Sequence, residues 1–199
     1  MFKIVRYVEI GQAASIVTDA FFADHTNFFT YQREKLKTYL SLESSYPKPS
    51  EKNTYVYFVA CRNVDGKVLG FVEIDCRETT RPKEGSPPRP YMCNLAIDKK
   101  WRRKGIATAL IEACEEIAYN NGYENIYLKV RSANDVAVHM YKRLGYVEES
   151  STIEMTERLN ESLVLLLKKQ LLSKNNDEEA TNKALSSENQ MQLTQIQNK

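Results

Sequence analysis

The sequence has little with which to hold a metal. Only two histidines occur, His25 and His139, far apart, and the four cysteines, Cys61, Cys76, Cys93 and Cys114, are widely and irregularly spaced. Neither a Cys-x-x-Cys nor a His-Glu-x-x-His arrangement is present, so no structural or catalytic metal is expected. The cysteines fall inside expected strands or the central helix and read as buried small hydrophobes. Cys93 lies on the central strand with nothing basic beside it in sequence, so packing is expected of it, not nucleophilic attack. Long apolar runs are missing too. The longest aliphatic run, Leu163 to Leu167, is far too short to cross a bilayer. The chain opens directly on the alternating pattern Phe2 to Val8, without the apolar core and cleavage site of a signal peptide. The expected compartment is therefore the cytoplasm, or an organelle stroma if the protein is encoded there, with no membrane partner. Excess charge is small. The net charge of +2 is concentrated in basic residues between 99 and 104, and no aromatic platform accompanies them, so nucleic acid is not an expected partner.

What is present suits one domain with an extension. Of the 199 residues, 1–172 carry the patterned segments, enough to bury roughly two-thirds of the unfolded surface. Residues 173–199 are rich in Asn, Gln, Ser, Glu and Lys, with no aromatic residue after Tyr146, and read as a disordered tail. After the first strand, 11–22 has helical character with Ala14, Val17, Ala20 and Phe21 on one face. Phe28, Phe29 and Tyr31 then precede a second helix through Leu36, Tyr39 and Leu40. This aromatic cluster reads either as a lid over a substrate groove or as packing of that helix on the core. Segments 55–61 and 68–76 form a hairpin around Asn63-Val64-Asp65-Gly66. A proline-rich loop, 81–90, follows and is expected to be exposed and mobile.

The stretch from Tyr91 to Leu110 reads as a buried strand, a turn carrying Lys99, Lys100, Arg102, Arg103, Lys104 and Gly105, and an amphipathic helix. A helix start with unpaired N–H groups, the positive end of its dipole and a glycine for close approach makes an anion site, best suited to phosphate. The triphosphatase loop and the Gly-x-Gly-x-x-Gly fingerprint are both absent. The helix places Ile106, Leu110, Ala113, Cys114 and Ile117 on one face and stops at Asn121-Gly122. A strand at 126–130, a helix from about Asn134 to Leu144, and a closing hairpin of 146–149 with 162–168 complete the domain, the last segment being readable as strand or helix. Strand, helix, strand, helix after an antiparallel start implies a mixed α/β sheet with helices on both faces.

Arg102-x-x-Gly105-x-Ala107 resembles the Arg/Gln-x-x-Gly-x-Gly/Ala signature of the GCN5-related N-acetyltransferase (GNAT) superfamily. Asn134-x-x-Ala137-x-x-x-Tyr141-x-x-x-Gly145-Tyr146 resembles a second segment of the same superfamily, in the right order. Asn94-Leu95-Ala96-Ile97 before Trp101-Arg102-Arg103-Lys104-Gly105, with Cys114-Glu115 beyond, is similar to its cyanobacterial and plastid branch. The resemblance implies a mostly antiparallel mixed sheet with splayed central strands flanked by helices, and acetyl-CoA as co-substrate. It implies that Arg102, Arg103, Lys104, Gly105, Ile106 and Ala107 hold the pyrophosphate and that Leu95, Ala96 and Ile97 offer strand backbone to pantetheine. Asn134 would hold the pantetheine arm or nearby backbone, and Tyr141 would protonate the leaving thiolate as general acid. A strand N–H would support the developing oxyanion.

The acceptor amine must be neutral to attack, which calls for a base. Here the chain departs from its relatives: many carry Glu or His where this sequence has Lys129. Candidates for the base are, in order, Tyr91, Glu73 and Asp75. The implied acceptors are protein or peptide amines, either N-terminal or lysine. Alternatives are a small arylalkylamine, a polyamine, or a non-catalytic acetyl-CoA sensor, and the chain is expected to be a monomer or homodimer.

Overall fold

The computed structural model describes residues 2–22, 27–51, 53–77, 87–155 and 161–171. The expected tail at 173–199, His25, and residues 81–86 of the proline-rich loop lie outside them. Seven strands form one sheet in the order β1-β2-β3-β4-β5-β7-β6. In chain order the elements are β1 (Phe2–Ile4), α1 (Ile10–Phe21), α2 (Phe28–Ser44), β2 (Tyr55–Cys61) and β3 (Val68–Asp75). There follow β4 (Tyr91–Ile97), α3 (Ile106–Asn120), β5 (Asn125–Arg131), α4 (Asp135–Arg143), β6 (Val147–Met155) and β7 (Glu161–Gln170). The segment readable either way is thus a strand, antiparallel to β5 from Val164 to Gln170. Only β4 and β5 run parallel, because α3 crosses between them.

Strand alternation sorts the core into two layers. On one face Val56, Ala60, Val72, Ile74, Met92, Ile126, Leu128 and Leu167 pack against Leu110, Ile111, Cys114 and Ala118 of α3 and Tyr141 of α4. On the other, Tyr55, Tyr57, Val59 and Phe71 pack against Ile10, Ala13, Ala14 and Val17 of α1 and Leu42 of α2. Two readings of the helices need correction. Phe21 is not on the buried face of α1 but exposed at its end. Phe28 and Phe29 are 69% and 82% exposed, so they do not pack α2 on the core. They open the helix after the Asn27 cap, whose side chain accepts from the Thr30 N–H at 2.9 Å. No helix among the described residues is long and apolar enough to cross a membrane.

The α4 end is tied to the sheet by one acid. Glu115 on α3 accepts from Lys169 of β7 at 2.7 and 2.8 Å and from the Tyr146 hydroxyl at 3.0 Å. That network fixes the turn after α4, and with it the position of Tyr141, whose ring packs edge-on against Tyr146 at 5.6 Å. Glu115→Ala is expected to destabilise the fold by about 1–2 kcal/mol, since the partly exposed Lys169 regains water. A urea midpoint equal to the parent's would show that the network carries no stability.

Candidate active site

Parallel pairing between β4 and β5 is confined to Tyr91 with Tyr127 and Met92 with Leu128. Beyond Met92 the strands diverge. On its other side β4 stays bound to β3, but with one residue too many: Phe71 faces Ala96 while Glu73 faces Cys93. The surplus is a bulge at Asn94, which stands in the left-handed region at φ 54°. Because the Asp98 N–H bonds the Leu69 carbonyl at 2.8 Å, alternation turns Ala96 towards β3 as well. Leu95 and Ile97 therefore turn their backbone groups into the gap, the positions named above for pantetheine.

The cationic turn closes one end of that gap. Asp98 caps a 3-10 turn over Lys99–Trp101, accepting from the Lys100 N–H at 2.9 Å. Arg103 and Gly105 both have positive φ, 61° and 76°. Such a turn aims successive N–H groups at one point, a nest for an anion. Gly105 is the N-cap of the fifteen-residue α3 and has no side-chain cap. The first intrahelical donor is Ala109, to the Gly105 carbonyl, so the amides of Gly105, Ile106, Ala107 and Thr108 are left for a ligand. Arg102, Arg103 and Lys104 are exposed around them. The Arg102 Nε donates to the Ile97 carbonyl at 3.3 Å, and the Lys104 ammonium sits 4.4 Å from the centre of the Trp101 ring.

Two proton-bearing side chains approach Cys93 of β4 from opposite layers. Tyr141 belongs to the α3 and α4 layer; it is 7% exposed, and burial pushes its phenol up, with Cys114 and Cys93 adding to the effect. Among the described residues no hydrogen bond to its hydroxyl is found. Asn134 is the N-cap of α4, accepting from the Ala137 N–H at 3.2 Å, so its carbonyl oxygen holds neighbouring backbone.

Glu73 belongs to the other layer, in a row with Tyr57 of β2 and Cys93 of β4. It is 7% exposed. Its Oε1 accepts from Cys93 Sγ and Asn94 Nδ2, both at 2.7 Å, and its Oε2 from the Tyr55 hydroxyl at 3.4 Å. Burial pushes its carboxyl above the usual range, and the three donors only partly oppose that. Burial and the Glu73 charge hold Cys93 well above the usual thiol range, so it stays a thiol. Beyond the expected packing, Cys93 is also a hydrogen-bond donor to Glu73.

The next row holds Tyr55, Asp75, Tyr91 and Tyr127. Asp75 is engaged by two guanidiniums: Arg77 donates from Nε and Nη2 at 2.9 Å, and the Arg89 Nη2 lies at 3.1 Å. Arg77 also stacks 3.9 Å over the Tyr55 ring. Lys129 points to the same side of β5 as Tyr127, beyond the last paired position. Among the described residues no group of His, Cys, Asp and Glu could hold a metal ion. Sequence reasoning assigned no role to Asn94, Arg77 or Arg89. An Asn inside a strand pattern, a poor strand former tolerant of left-handed backbone, was the available signal for the bulge.

The profile of the Acetyltransferase (GNAT) family matches residues 18–146. The chain is 30% identical over 126 residues to N-alpha-acetyltransferase 30 of Schizosaccharomyces pombe, covering 58% of this chain and 80% of that protein. It is 32% identical over 112 residues to the chloroplastic GCN5-related N-acetyltransferase 5 of Arabidopsis thaliana, covering 52% of this chain but only 35% of that protein. Among solved structures, the PaiA N-acetyltransferase of Thermoplasma acidophilum, in complex with coenzyme A, superposes with a TM-score of 0.61 at 13% identity. That match covers 85% of this chain and 98% of the other. At that identity the likeness is one of fold.

A Cβ at position 105 would meet no protein atom within 4 Å. It would project from a left-handed backbone into the mouth of the nest. Gly105→Val is therefore expected to cost about 1 kcal/mol of stability through backbone strain, but to weaken coenzyme A binding at least about tenfold by blocking approach to the amides. Calorimetric titration checks this, and undiminished affinity would remove the turn from the site.

Proposed function

The chain belongs to the Acetyltransferase (GNAT) family and is an acetyl-CoA-dependent N-acetyltransferase, and from that premise we propose that its acceptor is a protein or peptide amine. The N-terminal α-amine is the foremost acceptor and the lysine side chain the second. The reading is carried by one observation: a buried, hydrogen-bonded carboxyl, Glu73, and a buried phenol, Tyr141, to which no described residue hydrogen-bonds, lie on opposite faces of the sheet where β4 leaves β5. Glu73 takes the proton of the incoming amine, which attacks the thioester directly. Tyr141 gives its proton to the departing thiolate, and its raised pKa keeps it protonated until then. The backbone of Leu95 and Ile97 orients the pantetheine arm and supplies a strand N–H to the developing oxyanion. The nest at 102–107 anchors the pyrophosphate.

The base is Glu73 and not Asp75, because two guanidiniums already hold Asp75. Tyr91 is the second candidate. An α-amine with a pKa of about 8 is roughly one-tenth neutral at pH 7, whereas a lysine with a pKa of about 10.4 is neutral in about one molecule in 2,500. The demand on the base is therefore lighter for N-termini, in keeping with the similarity to an N-alpha-acetyltransferase. Asp75, the other carboxylate of this strand face, is already occupied by Arg77 and Arg89, so Glu73 is left without a second free acid with which to hold a polyamine's several charges. Phe28 and Phe29 face away from the core, and the Tyr31 hydroxyl bonds Asp19 at 2.5 Å, so among the described residues these three enclose no arylamine.

Incubation with labelled acetyl-CoA and peptides bearing free α-amines and lysines, read by mass spectrometry, is expected to show enzyme-dependent label, preferentially on α-amines. Label confined to small amines would overturn the peptide reading, and binding without any transfer would leave a sensor. Glu73→Gln and Tyr141→Phe are each expected to lower kcat by about 10²–10⁴ with acetyl-CoA affinity near that of the parent. Tyr91→Phe is expected to cost less than Glu73→Gln; the reverse order would return the base to Tyr91.

A further inference from the structure

The β4 bulge does more than separate β4 from β5. It carries the one side-chain amide that touches the buried acid, and it does so at a backbone conformation few residues tolerate. At φ 54° a β-branched or bulky residue is strained, whereas Gly, Asn and Asp are accommodated. Of these three, Gly brings no donor, and Asp would set a second carboxylate against Glu73. Asn alone satisfies the backbone and donates to the carboxylate.

Resting on Glu73 as the base, we propose that Asn94 is a positioning residue for acetyl transfer: its Nδ2, turned inward by the bulge, holds Glu73 Oε1 and leaves Oε2 to take the acceptor's proton. The geometry supports this division of labour. Oε1 has two donors at 2.7 Å, Asn94 Nδ2 and Cys93 Sγ. Oε2 has one long contact, 3.4 Å from a Tyr55 hydroxyl that is also shared with Tyr57 at 3.2 Å. Of the two Oε1 donors the amide is the stronger, since a thiol is a weak one. Burial favours the protonated carboxyl, which cannot accept a proton, and a donor aimed at the ionised form opposes that.

Other groups face the same carboxyl. They are Tyr55 and Tyr57 from β2, Asp75 with its partners Arg77 and Arg89, and Tyr91 and Cys93 from β4. Tyr141 lies beyond Cys93, and Lys129 is across the gap. None of them is carried by the left-handed backbone that places Asn94, so a substitution there changes one donor and leaves the rest.

Asn94→Gly keeps the bulge and removes the amide. Measured on an acceptor peptide with the full chain, the acid limb of its kcat/KM profile is expected to move to higher pH by about one unit. That amounts to about tenfold lower kcat/KM on that limb, recovering towards the parent as pH rises. Acetyl-CoA affinity is expected to stay near the parent's, which also reports folding. Asn94→Asp, a second variant tolerant of the same backbone, is expected to shift the limb further. In a Glu73→Gln background, Asn94→Gly is expected to have no additional effect. An unshifted acid limb in a folded Asn94→Gly protein would overturn the proposal, as would an equal loss at every pH that persists in the Glu73→Gln background. Full activity of Glu73→Gln alone would instead remove the base, and the positioning role would fall with it.

Discussion

Everything at this site depends on β4 and β5 being parallel neighbours for two residue pairs and then separating. The separation has identifiable causes on both sides. β5 is held by β7 along its whole length. The outer half of β4 is drawn tightly onto β3, where Gly70 has no room for a side chain: a Cβ there would lie 2.7 Å from Ile97 Cδ1 and 3.3 Å from the Ala96 carbonyl oxygen. The bulge at Asn94 absorbs the mismatch in length. A closed sheet would have used the backbone groups of Leu95 and Ile97 in a ladder, and it would have kept the layer of α3 and α4 apart from the layer of α1 and α2. The opening leaves these groups outside a ladder, with only the Ile97 carbonyl taken up by Arg102, and Cys93 of β4 stands between Glu73, to which it donates, and Tyr141.

The electrostatics follow from that geometry. Burying a carboxyl in a β layer is costly unless donors meet it, and three side chains on two strands do so for Glu73. Those donors do not cancel the desolvation, so the carboxyl stays above its usual range, the direction that the proposed role as a base calls for. One row further along, Asp75 shows the opposite treatment, with its charge met by two guanidiniums. Two carboxyls on neighbouring positions of one strand face are thereby given different chemistry by their neighbours alone. At the other end of the gap the cationic turn gathers amides and guanidiniums, away from Glu73.

Much of the fold was legible because it is local. The hairpin around Asp65 and Gly66 and the start and stop of α3 at Gly105 and Asn121 are written in short-range patterns of two, three and four residues. The anion nest was legible for the same reason: its amides belong to consecutive residues, so spacing alone brings them together. The fate of Phe28 and Phe29 was not, since an aromatic pair at a helix start reads alike whether it turns inward or out. Segment 161–170 became a strand because β5 and β6 flank it, and an aliphatic run does not carry that choice within itself.

By itself the sequence determined the order of elements, the cationic turn before α3 and the pairing of Asn134 with Tyr141 at the two ends of one helix, because each lies within a few residues of chain. Only the tertiary structure decided that both acids of β3 are buried but that only Asp75 is met by guanidiniums, that Cys93 donates a hydrogen bond, and that Asn94 turns onto Glu73. Glu73 and Asn94 are 21 residues apart, and a single extra residue in a strand register is what brings them into contact.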